Sequence, residues 1–151
     1  MINPNQLRDF VQRTLRGLET ATGIPYSEHA VELLLMTAAH ESHLGTYIRQ
    51  TEGPALGIYQ MEPATEADTH ENWIKHRKEL ADYMKMFARG SLEWDLKYST
   101  IMARIYYYRQ PEPLPTDTRG LAEYAKQHWN TDLGKATVED YLEDYHRYAL
   151  D

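Results

Sequence analysis

Apolar residues recur at helical spacing along most of this chain. The first run follows Asn3 and Pro4, a favourable N-cap and first-turn pair, and it ends at Gly23. The second run follows Ser27, which can cap a helix, and it continues to about His43. The residues of this second run are apolar on nearly every face, so we expect its helix to be central and buried.

The rest of the chain alternates between helical patterns and short breaks. Residues 44–62 are rich in glycine, threonine and polar side chains, which predicts a loop with at most a small β-hairpin. Pro63 opens another helix, and the prolines between 111 and 115 predict an extended linker. The remaining helices are predicted over 72–88, 92–109, 119–129 and 137–148. Strand signals are weak throughout, so the sequence predicts a mainly α fold of about six helices.

Length and composition narrow the class of protein further. A chain of 151 residues corresponds to about one domain, which we assign to residues 1–151. It contains no cysteine, which excludes a disulfide framework and a thiolate metal site. With 16 basic and 23 acidic residues the net charge is -7, which disfavours binding to nucleic acids and anionic membranes. Nothing in the sequence implies a cofactor, and a monomer is the favoured oligomeric state.

Targeting signals are missing from the sequence. No stretch approaches the roughly 18 apolar residues that a membrane-spanning helix requires. Residues 1–10 lack the apolar region and the cleavage site of a signal peptide, so we expect the protein to be cytoplasmic as synthesised. The aromatic residues are mostly tyrosine, with 12 tyrosines against two phenylalanines. Amphipathic rings suit a partly hydrated groove that stacks on sugars, and they also suit the edges of a core.

The carboxyl group of Glu41 is the strongest candidate for chemistry. Glu41 follows Ala38 by three residues and Leu34 by seven, so it shares a helix face with apolar residues. Burial on that face raises a carboxyl pKa, and so does the nearby helix C-terminus, whose dipole disfavours negative charge. A carboxyl group that stays protonated near neutral pH can protonate a glycosidic oxygen. The alternative is that Glu41 marks the point where the helix emerges into solvent.

A turn of the type Gly-apolar-aromatic-Gln follows the predicted helix and leads into Pro63. Gly53 and Gly57 permit tight turns and the close approach of a ligand. The amide of Gln60 supplies both a donor and an acceptor, which suits sugar hydroxyl and acetamido groups. Alone this turn is weak support for a function. Its distance from Glu41 in the sequence makes the combination more specific.

Together these segments resemble the soluble lytic transglycosylase and goose-type lysozyme superfamily. Its members carry a Glu-Ser pair on a buried helix and a Gly-Leu-Met-Gln segment at nearly the spacing of Glu41-Ser42 and residues 57–60 here. The resemblance implies a lysozyme-like α-helical domain that cleaves the peptidoglycan glycan strand between MurNAc and GlcNAc. It implies that Glu41 is the acid and base. It also implies that Ser42 and Gln60 orient Glu41 or the sugar, and that Tyr59 lines the groove.

A third family segment, Ala-Tyr-Asn-x-Gly, corresponds more loosely to residues 127–134. Trp129 and Asn130 take the Tyr-Asn positions, so we expect both to contact the substrate. The family tyrosine is thought to hydrogen-bond the catalytic glutamate, and Trp129 could do so only through its ring N–H. The tyrosines at 106–108 are alternative donors, and none of the three is singled out. We expect Tyr107 to contact the substrate in the groove. The resemblance covers roughly residues 28–148.

The resemblance leaves the reaction product open. In the transglycosylases one glutamate is acid and then base, the muramic 6-hydroxyl attacks, and a 1,6-anhydro product forms without a second carboxylate. This is the reaction we expect. A hydrolytic lysozyme would use a second carboxylate to position water. Its candidates are Glu52, Glu62 and Asp68, and their spacing singles out none of them.

Histidines flank Glu41, and together with a glutamate they could form a metal site. The metalloprotease pattern places two histidines four residues apart with the glutamate directly after the first. His40 and His43 are only three residues apart, and we therefore predict no metal site. His43 is interpreted as a neighbour of the cleft or as a surface residue.

The resemblance and the missing export signal together predict a bacteriophage-type lysin. Such a protein is released by a holin as an endolysin or is delivered by a virion, and its partner is the peptidoglycan glycan strand. A non-catalytic, glycan-binding virion module on the same scaffold is the first alternative. A helical protein–protein interaction domain is a second alternative, and it would expose an apolar stripe.

Overall fold

The computed structural model describes residues 1–130 and 134–150. Within these residues the chain forms seven α-helices and no β-strand, which confirms the predicted mainly α fold. The helices are α1 (Pro4–Thr22), α2 (Glu28–Ser42), α3 (Pro63–Asn72), α4 (Lys78–Met84), α5 (Leu96–Tyr108), α6 (Thr118–Ala125) and α7 (Val138–Asp144). A 3-10 turn covers Ile74–His76, and π-helical turns cover Lys126–Asn130 and Tyr145–Ala149.

Helix α2 lies at the centre of the fold, as its sequence predicts. Ser27 accepts a hydrogen bond from the backbone N–H of Ala30 and so caps the helix. Most of its residues are buried, and they form one core cluster with residues of α1, α6 and α7. His43 ends the helix in the left-handed conformation. The chain therefore leaves the core directly after Glu41 and Ser42.

A second core cluster is formed mainly by α4, α5 and the 3-10 turn, and Leu18 of α1 joins it. It contains Met61, Ile74, Leu80, Leu92 and Ile101, among others. Two aromatic side chains, Tyr106 and Trp129, pack against both core clusters. The junction of the two clusters is thus lined by aromatic rings, and the candidate site lies beside it.

The helix predicted over 72–88 is interrupted. Helix α3 ends at Asn72, Trp73 leaves the helical backbone with φ -137°, and α4 starts only at Lys78. Ile74 and Leu80 are both buried in the second cluster. In one straight helix residues six positions apart would face directions about 120° apart, so the bend allows both to reach the same core.

Other boundaries differ from the predictions by smaller amounts. Helix α5 starts at Leu96 rather than at 92, because Asp95 caps it by accepting from the N–H of Tyr98. The predicted helix over 119–129 is α6 followed by a π-helical turn. Thr137 and Asp140 form the capping box that begins α7. The last predicted helix is thus α7, with a second π-helical turn after Asp144.

The segment between α2 and α3 is a loop held by two isolated antiparallel bridges, Arg49 with Leu56 and Leu56 with Met61. The predicted hairpin is thus reduced to single bridges within the described residues. Among those same residues, no helix combines the length and the apolar character needed to cross a bilayer.

Candidate active site

Glu41 lies in the last turn of α2, where two cavities meet. One cavity has a volume of about 370 Å³ and the other about 410 Å³. Both are lined by Glu41, Gln50 and Gln60. The first extends toward the start of α3 and Trp129, and the second extends along residues 47–52. We call the two cavities together the Glu41 groove.

The carboxyl group of Glu41 is largely withdrawn from water. Burial raises its pKa from 4.5 to about 7, and a hydrogen bond from Tyr141 partly opposes that rise. The hydroxyl of Tyr141 donates to Oε2 of Glu41 at 3.5 Å. A protonated carboxyl group near neutral pH, open to a groove, has the properties of a general acid.

Tyr141 is a site residue that the sequence reasoning missed. It lies on α7, and its side chain is fully buried in the first core cluster. Along α7 and into the turn that follows it, the inward positions are Val138, Tyr141, Leu142 and Tyr145, which recur at helical spacing. That pattern predicts a core-facing tyrosine, but no local signal connects it with Glu41. The sequence points instead to the tyrosines at 106–108, because they lie on the helix that precedes the third family segment.

The turn at residues 57–60 is shaped by its backbone. Gly57 has φ +80°, and a Cβ atom there would lie 2.0 Å from the carbonyl oxygen of Leu92, so only glycine fits. Gln60 is also in the left-handed region, with φ 55°. Its backbone N–H and its Nε2 both donate to the carbonyl oxygen of Gly57. The turn therefore presents the Gln60 side chain to both cavities.

Ser42 lies directly after Glu41 but points into the protein. Its side chain is buried, and its hydroxyl donates to the carbonyl oxygens of Ile58 at 2.6 Å and Ala38 at 3.1 Å. The hydroxyl also accepts from the N–H of Gly45. Ser42 thus joins the end of α2 to the turn that carries Gln60. It orients the site through the backbone rather than by contact with the groove.

Two tyrosines proposed as groove residues lie in the core instead. Tyr59 is 1% exposed, and its hydroxyl is 3.0 Å from the hydroxyl of Thr100. Tyr107 is also 1% exposed, and its hydroxyl is 2.8 Å from that of Thr37 on α2. Ile58 and Tyr59 are both buried in the turn, and Tyr107 is on the buried side of α5. Both residues support the groove from behind and do not line it.

Trp129 and Asn130, which we expect to contact the substrate, lie in the wall of the first cavity. Tyr106 joins them there, with its ring edge-on to Trp129 at a centroid distance of 5.0 Å. Its hydroxyl donates to the carbonyl oxygen of His128, which fixes the π-helical turn. Asn130 accepts a hydrogen bond from Lys126. Residues 131–133 of the predicted segment lie outside the described residues.

The three carboxylates considered for a second catalytic role lie in different places. Glu62 lines the first cavity, and Glu52 lines the second. Asp68 forms an ion pair with Arg109 at 2.9 Å and accepts a hydrogen bond from Asn72. Those partners lower its pKa, the hydrogen bond from Asn72 contributing most. Asp68 is therefore occupied elsewhere, and Glu52 and Glu62 stay candidates.

The two histidines that flank Glu41 have separate surroundings. Nδ1 of His40 is 2.8 Å from a carboxylate oxygen of Asp144 on α7. The ring of His43 is stacked on Tyr148 at a centroid distance of 4.5 Å. Within the described residues, no three His, Cys, Asp or Glu side chains converge as a metal site would require.

Comparison of this chain with protein-family models, with curated proteins and with solved structures found no match. A proposal for the function therefore rests on the residues of the Glu41 groove.

Proposed function

We propose that this protein is a peptidoglycan-cleaving glycosidase that works as a lytic transglycosylase, with Glu41 as its acid and base. The observation that carries the proposal is the carboxyl group of Glu41, buried where two cavities meet and with its pKa raised to about 7. Cleavage of a glycosidic bond requires a proton at the leaving oxygen, and a carboxyl group in this state supplies it. The resemblance of residues 38–65 to the transglycosylase motifs supports the same reaction.

In the proposed reaction Glu41 transfers its proton to the glycosidic oxygen as the C1–O bond breaks. The 6-hydroxyl oxygen of the same muramic residue then bonds to C1, and its proton passes to the Glu41 carboxylate. No water is consumed, and the enzyme returns to its protonated state. Tyr141 assists between the two steps, because its hydroxyl donates to the carboxylate that Glu41 has become.

The groove suits a polymeric substrate. Two cavities extend from Glu41 in different directions, so glycan residues on both sides of the cleaved bond have space. The amide of Gln60 is placed for hydroxyl or acetamido groups, and the ring of Trp129 offers a surface to a sugar face. These contacts position the glycosidic oxygen beside Glu41.

A hydrolytic lysozyme is the second candidate, because Glu52 and Glu62 each line a cavity that also contains Glu41. In that case one of these carboxylates would position a water molecule for attack at C1. The two candidates differ in product rather than in the role of Glu41.

Mass spectrometry of the products released from purified peptidoglycan tests the proposal. Muropeptides lighter by one water, with an anhydro-muramic end, are expected from the wild-type protein. The Glu41→Gln variant should release none, while Glu52→Gln and Glu62→Gln should keep activity. Asp68→Asn is the matched control, since Asp68 pairs with Arg109. Reducing-end muropeptides, lost in Glu52→Gln or Glu62→Gln, would establish the lysozyme instead.

A non-catalytic glycan-binding module gives a different pattern. Such a protein would sediment with insoluble peptidoglycan and release nothing, and Glu41→Gln would leave that binding unchanged. Binding without release from the wild-type protein would overturn the enzymatic proposal.

A further inference from the structure

Helix α7 meets the end of α2 at two neighbouring points. Tyr141 contacts Glu41, and Asp144, three residues later, contacts His40, which directly precedes Glu41. The ring of His40 also lies against the ring of Tyr141, with centroids 4.1 Å apart and planes tilted by 33°. Four side chains from two helices thus form one connected group.

The bond between His40 and Asp144 is well placed to fix this group. The two side chains are only 17% and 22% exposed, and Nδ1 is 2.8 Å from Oδ2. A carboxylate only accepts hydrogen bonds, so Nδ1 of His40 carries the hydrogen and donates it. The imidazole is therefore held in one orientation, and the ring of Tyr141 rests on it.

We propose that the Asp144–His40 hydrogen bond positions Tyr141 against Glu41, so that Asp144 and His40 set how strongly Tyr141 stabilises the ionised form of Glu41. Neither residue belongs to the described lining of the Glu41 groove, so both are positioning residues rather than catalytic ones. The inference deepens the proposed function, on which its catalytic meaning rests. During the reaction Glu41 alternates between acid and carboxylate, and a correctly placed Tyr141 hydroxyl favours the second form.

Asp144 could change the ionisation of Glu41 in two ways, through its own negative charge or through the position of Tyr141. The titratable and charged groups described around Glu41 and His40 come from α5, α7 and the groove. They are Asp140, Tyr141 and Asp144 of α7, Tyr106 and Tyr107 of α5, and Tyr47, Arg49, Glu52 and Glu62 in the groove. Removing the negative charge of Asp144 would, through space alone, make Glu41 easier to ionise. Loss of the Tyr141 hydrogen bond acts in the opposite direction, because that bond lowers the pKa of Glu41. The two explanations therefore predict opposite signs.

The experiment is a direct titration of the Glu41 carboxyl carbon by ¹³C NMR, with the signal assigned by its loss in Glu41→Gln. Tyr141→Phe should reduce the acid dissociation constant of Glu41 by about threefold, as expected for loss of one long hydrogen bond. Asp144→Ala and His40→Phe should reduce it in the same direction. His40→Phe keeps an aromatic ring beside Tyr141 and removes only the bond to Asp144.

Two further variants complete the test. Asp144→Asn removes the charge but keeps an oxygen that accepts from Nδ1, so it should stay near wild type. In the Tyr141→Phe background, Asp144→Ala should no longer reduce the dissociation constant, because the group through which it acts is gone. Glu139→Gln is the matched control, since Glu139 lies on α7 and forms an exposed ion pair with Arg119.

The same variants should also change the turnover number. Asp144→Ala and His40→Phe should lower kcat about threefold to tenfold with little change in KM, because the groove lining is intact. An increase in the dissociation constant of Glu41 in both Asp144→Ala and Asp144→Asn would mean that charge alone acts, and the inference would be overturned. The titration needs no turnover. A protein that releases no muropeptides but shows the expected titrations would disprove the proposed function and keep the coupling.

Discussion

The hydroxyl group of Tyr141 lies 3.5 Å from Oε2 of Glu41, although 100 residues separate them in the chain. Glu41 comes from the central helix α2, and Tyr141 comes from the last helix, α7. Burial disfavours the ionised carboxyl group, and this hydrogen bond favours it. The packing of α7 on α2 therefore lowers the pKa of the proposed acid relative to burial alone.

The activity should depend on pH through Glu41. Its pKa of about 7 means that the required proton is present in acid and is lost as the pH rises through neutrality. We expect kcat/KM to fall about tenfold for each pH unit above that point. Initial rates on purified peptidoglycan at constant ionic strength measure this limb. In Tyr141→Phe it should move to higher pH, and a rate that is flat into strongly alkaline solution would contradict the assignment.

The free energy of unfolding should also depend on pH through Glu41. The folded pKa of Glu41 lies above the unfolded value of 4.5, so the folded state binds more protons between the two values. The free energy of unfolding therefore contains a contribution that is present below pH 4.5 and is lost as pH rises through about 7. Glu41→Gln should stabilise the protein by up to about 3 kcal/mol at pH 8 and by little at pH 4.

Urea denaturation at the two pH values measures this difference. The Glu143→Gln variant, which removes an exposed carboxylate from α7, controls for a general charge effect. Equal effects of Glu41→Gln at pH 4 and pH 8 would mean that Glu41 is not buried as an acid.

The sequence predicted the helix that carries the site because that helix is apolar on nearly every face. Glu41 and the Gly57–Gln60 turn are recognisable from local sequence, and in the structure Glu41 and Gln60 line the same cavities. Tyr141 was missed because its contact with Glu41 exists only after α7 has packed on α2. The prediction that Tyr59 and Tyr107 line the groove is wrong, because an amphipathic ring gives no local sign of which way it faces. The break at Trp73 is also not a local feature. It allows Ile74 and Leu80 to pack in the same second core cluster.

Gly57→Ala should be strongly destabilising. The new Cβ atom would lie 2.0 Å from the Leu92 carbonyl oxygen, on a backbone with φ +80°. We expect a loss of more than about 3 kcal/mol in the free energy of unfolding, because backbone atoms have to move. Gly23→Ala is the matched control, with φ +82° and no atom within 4 Å of the new Cβ. It should cost only about 1 kcal/mol, and similar losses for the two variants would refute the steric argument.

Ser42→Ala should lower both stability and turnover. The buried hydroxyl of Ser42 joins the carbonyl oxygen of Ile58 to the N–H of Gly45, and alanine leaves both without that partner. A loss of about 1–3 kcal/mol is expected, together with a lower kcat because the Gln60 turn is no longer held. Ser91→Ala is the control, since Ser91 is equally buried and donates to Ala88 outside the groove. It should reduce stability without changing kcat; an equal loss of kcat would remove the specific role of Ser42.

Gln60 should act on the substrate through its amide, and its backbone conformation allows a clean test. Alanine at this position would keep φ 55° at some cost, whereas glycine adopts that conformation freely. Gln60→Ala and Gln60→Gly should therefore differ in stability but raise KM alike, by about tenfold for one lost polar contact. Tyr59→Phe removes only the hydroxyl beside Thr100 and should leave KM unchanged. If KM rose in Gln60→Ala and not in Gln60→Gly, the cause would be backbone strain, and Gln60 would have no direct role in binding the glycan.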